Sequence, residues 1–137
     1  MKHIMLVDDV STNLRCEELI LQNQYKVTMV KSGEEALRCL ETELPDLILL
    51  DIHLRNMDGY GVMEHLKKDP RTAGIPLILL TADRQESEER GIALGAAGFI
   101  RKPFEPQVLL NRIEAVLGTE EKNCVRKGVE VQAWDRE

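Results

Sequence analysis

Three things are scarce in this sequence of 137 residues: cysteine, positive charge and long apolar stretches. Cys16, Cys39 and Cys124 are odd in number and lack C-x-x-C spacing, which points away from a disulfide framework or a cysteine zinc site. A reducing cytoplasm suits them. Lys and Arg total 18 against 24 Asp and Glu, and the resulting charge of −6 argues against a broad nucleic-acid footprint. No apolar run approaches the ~18 residues of a membrane span. The opening MKHIMLVDD is too short in its apolar part for a secretory signal. A hydrophobic fraction of 43% with 31% charged residues excludes a disordered or fibrous chain, and the length suits one domain with a real core.

What is present is a repeated alternation. Apolar runs at His3 to Val7, Lys26 to Val30, Asp46 to Leu50, Leu77 to Leu80 and Ala97 to Arg101 are continuous enough for strands of a parallel sheet covered on both faces. Between and after them, residues recur at helical spacing: Cys16, Leu19 and Ile20; Leu37, Leu40 and Leu44; Val62, Met63 and Leu66; Leu109, Ile113, Val116 and Leu117. The order is βα, five times over. Ser32 with Glu35 and Asp83 with Glu86 have capping-box spacing, and Pro45 and Pro76 stand just before the third and fourth strands. The fourth helix, expected over about 84–94, begins without apolar residues and is expected to be the most loosely held. Cys16 and Cys39 are expected in the core or at its boundary, and the scattered side chains of His3, His53 and His65 in solvent or half-buried.

After Leu117 the pattern changes to nine charges in twenty residues, with weak alternation at Val129 and Val131 and the only tryptophan, Trp134. This divides the chain into a domain over 1–118 and a tail or linker over 119–137, which extends the last helix, adds a strand or leads to a further domain.

In a sheet of right-handed βαβ units the carboxyl ends of the strands share one edge, where ligands bind. Just past the runs lie Asp8 and Asp9, then Asp51, Thr81, and Lys102 before Pro103. Converging carboxylates repel unless a cation neutralises them, and hard oxygen ligands suit magnesium. A lysine and a hydroxyl would hold the oxygens of a phosphoryl group, and an aspartate can accept one as an acyl phosphate. The crevice is suited to phosphoryl transfer onto a carboxylate.

The set VDD at 7–9, LLD at 49–51, MDG at 57–59, TA at 81–82 and FIRKPF at 99–104 resembles the receiver domain of two-component response regulators, over about residues 3–117. The resemblance implies a flavodoxin-like (βα)5 fold, an α/β doubly wound parallel sheet with strand order 2-1-3-4-5. It implies Asp51 as phosphoacceptor and a Mg2+ site at Asp8, Asp9, Asp51 and the backbone carbonyl of His53. It also implies Thr81 and Lys102 on the phosphoryl oxygens, Thr81 and Phe99 as switch residues, and a cis Lys102–Pro103 bond. The implied partner is a sensor histidine kinase or phosphotransfer protein, and the fourth helix, fifth strand and fifth helix form the switching surface, with homodimerisation as one use. Such a module assists its own phosphorylation and hydrolysis without being an enzyme in the turnover sense. This chain has Leu54-Arg55 where the family usually has Met-Pro, so the loop gains a charge.

Rival classes fit less well. A dinucleotide-binding domain needs G-x-G-x-x-G after the first strand, where DDVSTN stands. A corrinoid motif D-x-H-x-x-G would need Gly at Asn56. An aspartyl-phosphate phosphohydrolase would need D-x-D and residues for a cap. The first alternative to a free-standing regulator is the amino-terminal receiver of a larger one.

Overall fold

Each central strand alternates side chains between two opposite cores, as the period of two requires. The structure of the protein, a computed structural model, describes residues 1–118 in full and the helical backbone of 119–126. In chain order the elements are β1 (His3–Val7), α1 (Ser11–Leu21), β2 (Lys26–Val30), α2 (Gly33–Cys39), β3 (Leu47–Asp51), α3 (Gly59–Lys68), β4 (Leu77–Thr81), α4 (Glu88–Ala93), β5 (Gly98–Arg101) and α5 (Pro106–Arg126). All neighbouring strands pair in parallel, in the order β2-β1-β3-β4-β5.

On one face Met5, Val7, Ile48, Leu50, Leu77 and Leu79 pack with Ala36 of α2, Val62 and Leu66 of α3, and Phe99. On the other, Ile4, Leu6, Leu47, Leu49, Ile78 and Leu80 pack with Leu14 and Leu21 of α1 and Leu109, Ile113 and Leu117 of α5. Burial on both faces explains why the three inner strands read as unbroken apolar runs. β2, at an edge, is the most exposed strand. Asp46 lies outside β3 and begins it: its Oδ2 accepts the His3 amide at 2.7 Å.

Helix starts follow local side-chain chemistry. Ser32 caps α2, accepting the Glu35 amide at 3.0 Å, and Glu35 reaches back to the Lys31 amide at 2.7 Å. Asp58 caps α3 through the Gly61 amide at 2.9 Å. The next residue must be glycine: a Cβ on Gly59 would lie 2.7 Å from the Ile52 Cα and 2.8 Å from the Asp51 carbonyl oxygen.

Three expectations need correction. Asp83 and Glu86 do not cap the fourth helix. Asp83 accepts the Gln85 amide within a turn, and Ser87 is the cap, so α4 spans only Glu88–Ala93. The inward face of α1 is Leu14, Glu17 and Leu21, leaving Cys16 and Leu19 exposed. Leu44 lies past α2 and is exposed. The His53 side chain is half exposed, as expected, with two carboxylates beside it. α5 continues past residue 118 to Arg126, while Val129, Val131 and Trp134 lie outside the described residues.

Glu17 places a carboxyl between two buried leucines of α1 with only 4% exposure. Burial pushes its pKa from 4.5 up to about 7, partly opposed by the nearby Lys102 charge and reinforced by Asp8 and Asp51. The folded state thus holds the proton more tightly than the unfolded chain. Stability contributed by the neutral acid is complete below about pH 4.5 and is lost as pH rises through about 7. Glu17→Leu should therefore stabilise the protein more at pH 8 than at pH 5, by about 3 kcal/mol at most. Urea unfolding of both proteins at the two pH values measures this, and an equal gain at both would contradict it.

Candidate functional site

The five strand ends meet at one edge. Asp8 and Asp9 directly follow β1, Asp51 and Thr81 are the last residues of β3 and β4, and Lys102 follows β5. Parallel pairing puts Asp51 beside Leu80 and Thr81 beside Arg101, so these side chains are brought together by register.

Lys102 organises the crevice. Its Nζ donates to Asp8 Oδ2 and Asp51 Oδ2, each at 3.0 Å. Asp8 is 1% exposed and Asp51 8%, so both carboxylates depend on this ammonium for neutralisation. Asp8 Oδ1 also accepts the Val10 amide at 2.9 Å, and Asn13 Nδ2 donates to Asp8 Oδ2 at 3.3 Å. Asp51 Oδ1 accepts the His53 amide at 2.8 Å. Asp9 sits at the mouth, its Oδ2 3.5 Å from Nε of Arg55, which is the charge the Leu54-Arg55 pair adds to this loop. Thr81 is fully buried, and its hydroxyl oxygen accepts the Asp83 amide at 2.9 Å. Phe99 is 3% exposed in the core beneath α4, and the Lys102–Pro103 bond is cis.

The electrostatics follow from burial and pairing. Burial alone would lower the Lys102 pKa, but the hydrogen bond and charge of Asp51, then those of Asp8, hold it above the ordinary value. The ammonium therefore stays protonated at neutral pH. Burial raises the Asp51 pKa against the hydrogen bond and charge of Lys102 and the His53 amide, and Asp8 adds repulsion. One ammonium faces two buried carboxylates, with Asp9 close by. That excess of anionic oxygen is a donor set that fits a hard divalent cation.

Sequence reasoning missed Glu17, which lines an open groove of about 610 Å³ beside the crevice together with Asn13, Ile20, Lys102 and Phe104. Its signal was the spacing Leu14, Glu17, Leu21, one helical face with an acid in the middle.

Lys102→Met should leave Asp8 and Asp51 buried without a counter-charge, a loss on the order of 3 kcal/mol in metal-free buffer. Saturating magnesium should restore part of it. Urea unfolding with and without magnesium tests both statements, and a variant as stable as wild type in metal-free buffer would contradict the role given to Lys102.

The chain matches the model of the response regulator receiver domain over residues 4–114. Among curated proteins it is 37% identical over 115 residues to response regulator PleD of Caulobacter vibrioides, covering 82% of this chain and 25% of PleD. It is 38% identical over 116 residues to the probable transcriptional regulator ycf27 of Guillardia theta, covering 83% of this chain and 44% of that protein. The chain thus spans between a quarter and about half of the length of these relatives. Among solved structures, a putative response regulator from Chloroflexus aurantiacus J-10-fl superposes with a TM-score of 0.81 at 35% identity, covering 85% of this chain and 98% of that one. The receiver domain of the sensor histidine kinase PA1611 from Pseudomonas aeruginosa PAO1, solved with a magnesium ion in its active site cleft, gives 0.78 at 28% identity, covering 85% of this chain and 98% of that one. With the sheet order, the strand-end crevice and these likenesses in agreement, the chain belongs to the response regulator receiver domain family of two-component signalling.

Proposed function

We propose that Asp51 accepts a phosphoryl group from a phosphohistidine on a sensor histidine kinase or phosphotransfer protein. The observation that carries this is a buried carboxylate at the end of β3, held 3.0 Å from a lysine ammonium, with a second carboxylate on the same ammonium. An Asp51 oxygen attacks phosphorus, the N–P bond breaks, and the donor imidazole keeps the electron pair, so an acyl phosphate forms. Lys102 and the Thr81 hydroxyl hold the phosphoryl oxygens as charge develops on them. Asp8, Asp9, Asp51 and the backbone carbonyl of His53 would hold Mg2+, which supplies positive charge against the phosphoryl oxygens when bound. Attack of water on phosphorus later breaks the bond between phosphorus and the Asp51 oxygen, releasing inorganic phosphate and regenerating Asp51. The protein is a signalling module whose output is the phosphorylated state itself.

The switch begins at Thr81. Turning its hydroxyl toward a phosphoryl group gives up the bond from the Asp83 amide, which loosens the loop before α4. That helix has six residues, and Gly91 is its one buried residue. Gly91 lies directly on Phe99: a Cβ there would be 3.3 Å from the ring. Phe99 takes the space that Thr81 leaves, and α4 resettles over it. Ile92 on α4, Leu94 at its C-cap and Val108 on α5 are exposed large apolar residues, a surface suited to a partner or a second copy.

Residues 1–118 form the receiver in this reading, with 119–137 as its connection or tail. The module works in the cytoplasm beside its kinase and makes no direct nucleic-acid contact. No helix of the described residues is long and apolar enough to cross a membrane. A second reading, the amino-terminal receiver of a longer regulator, is favoured by the greater length of the curated relatives.

Two outcomes follow. Incubation with acetyl phosphate and magnesium should add one base-labile phosphoryl group to wild type and none to Asp51→Asn by intact mass; equal labelling of both would remove Asp51 from the role. With beryllofluoride and magnesium, amide exchange should change most between residues 82 and 105, and Thr81→Ala should mute the change without preventing binding. Changes confined to the loops around Asp9 and Asp51 would refute the switch.

A further inference from the structure

The imidazole of His53 has no part in the phosphoryl chemistry, yet it has company. Its Nε2 lies 3.7 Å from Asp83 Oδ2 and 3.5 Å from Glu86 Oε2, and the three residues each bring a ligand atom within 4.8 Å of the others'. These separations exceed the usual hydrogen-bond distance. The two distances from the imidazole are within a few tenths of an ångström of the ligand spacing around a small tetrahedral ion: donors about 2.0 to 2.1 Å from zinc lie about 3.3 to 3.4 Å apart.

The remaining oxygen of each carboxylate is already engaged. Asp83 Oδ1 accepts the Gln85 amide at 2.9 Å, and Glu86 Oε1 accepts the Tyr60 hydroxyl at 2.8 Å. This fixes which oxygens are free, and both free oxygens turn toward the imidazole. The loop carrying them is braced from β5: Arg101 donates to the carbonyl oxygens of Asp83 at 3.2 Å, Arg84 at 3.4 Å and Glu86 at 2.8 Å. The ligand atoms are therefore gathered on two loops that are already held in place.

We propose that His53, Asp83 and Glu86 form a second cation site, separate from the Asp8, Asp9 and Asp51 carboxylates, for a zinc-class transition-metal ion. A nitrogen donor with two carboxylates suits such an ion better than magnesium, which prefers oxygen throughout. Three protein ligands leave a fourth position for water. The consequence is mechanical. An ion here ties the loop after β3 to the loop after β4, and so opposes the displacement that Thr81 starts.

Cobalt(II) serves as the probe, added to the full chain with magnesium in excess to occupy the acidic crevice. One equivalent should bind with the intense visible bands of tetrahedral cobalt, and zinc should displace it. His53→Ala and Glu86→Gln should each weaken binding by about tenfold or more, whereas Asp9→Ala should leave the bands intact. Circular dichroism checks that each variant is folded, and Asp83→Asn provides a third ligand variant. Absence of the bands would overturn the site. So would bands that survive His53→Ala, or that disappear with Asp9→Ala or on raising magnesium, since the ion would then occupy the acidic crevice.

Discussion

A single ammonium shared by two buried carboxylates is the constraint from which the rest of this structure can be understood. Lys102 reaches Asp8 and Asp51 at 3.0 Å each, across sequence separations of 94 and 51 residues. Those contacts exist only because β1, β3 and β5 lie in one parallel sheet with their carboxyl ends at a common edge. The unbroken apolar strands, buried on both faces, supply the rigidity that holds these charged groups in place against their repulsion. Removing the ammonium would leave buried charge; supplying a cation or a phosphoryl group redistributes it. The chemistry proposed for the crevice is thus a way of exchanging counter-charges around a fixed set of oxygens.

The loops around this edge are joined by polar contacts, in contrast to the apolar sheet beneath. Thr81 is tied to the Asp83 amide, Arg101 holds three carbonyl groups of the same loop, and Tyr60 bonds Glu86. Arg90 of α4 lies 4.1 Å above the Tyr60 ring, so the short fourth helix is also attached by side chains at its exposed face. Elements held in this way can exchange one set of contacts for another without disturbing the core. In the proposed switch, that division between a dry sheet and a polar rim is what would let a change at Asp51 reach α4.

Most of the sheet and crevice was legible because both rest on strong local signals. Runs such as LILLD and LILLT admit few alternatives, and Asp8, Asp9, Asp51, Thr81 and Lys102 occupy equivalent positions at strand ends. The parts misread or left unread involve competition between signals or contacts distant in sequence. Asp83 and Glu86 have capping spacing, but Asp83 is used in its own turn and Glu86 by Tyr60, leaving Ser87 to start α4. On α1, hydrophobicity favoured Cys16, Leu19 and Ile20, whereas the inward face carries Glu17, which periodicity includes and polarity hides. The surroundings of the His53 imidazole could not be read locally, since Asp83 and Glu86 arrive from the loop after the next strand.

The most direct test of the shared ammonium is a double-mutant cycle between Lys102→Met and Asp51→Asn, read as unfolding free energy in metal-free and magnesium-saturated buffer. The account predicts that Asp51→Asn recovers much of what Lys102→Met loses, with a coupling of about 2 kcal/mol without metal that shrinks when magnesium is bound. Additive losses in both buffers would contradict it, because the crevice would then not depend on Lys102 for its charge balance.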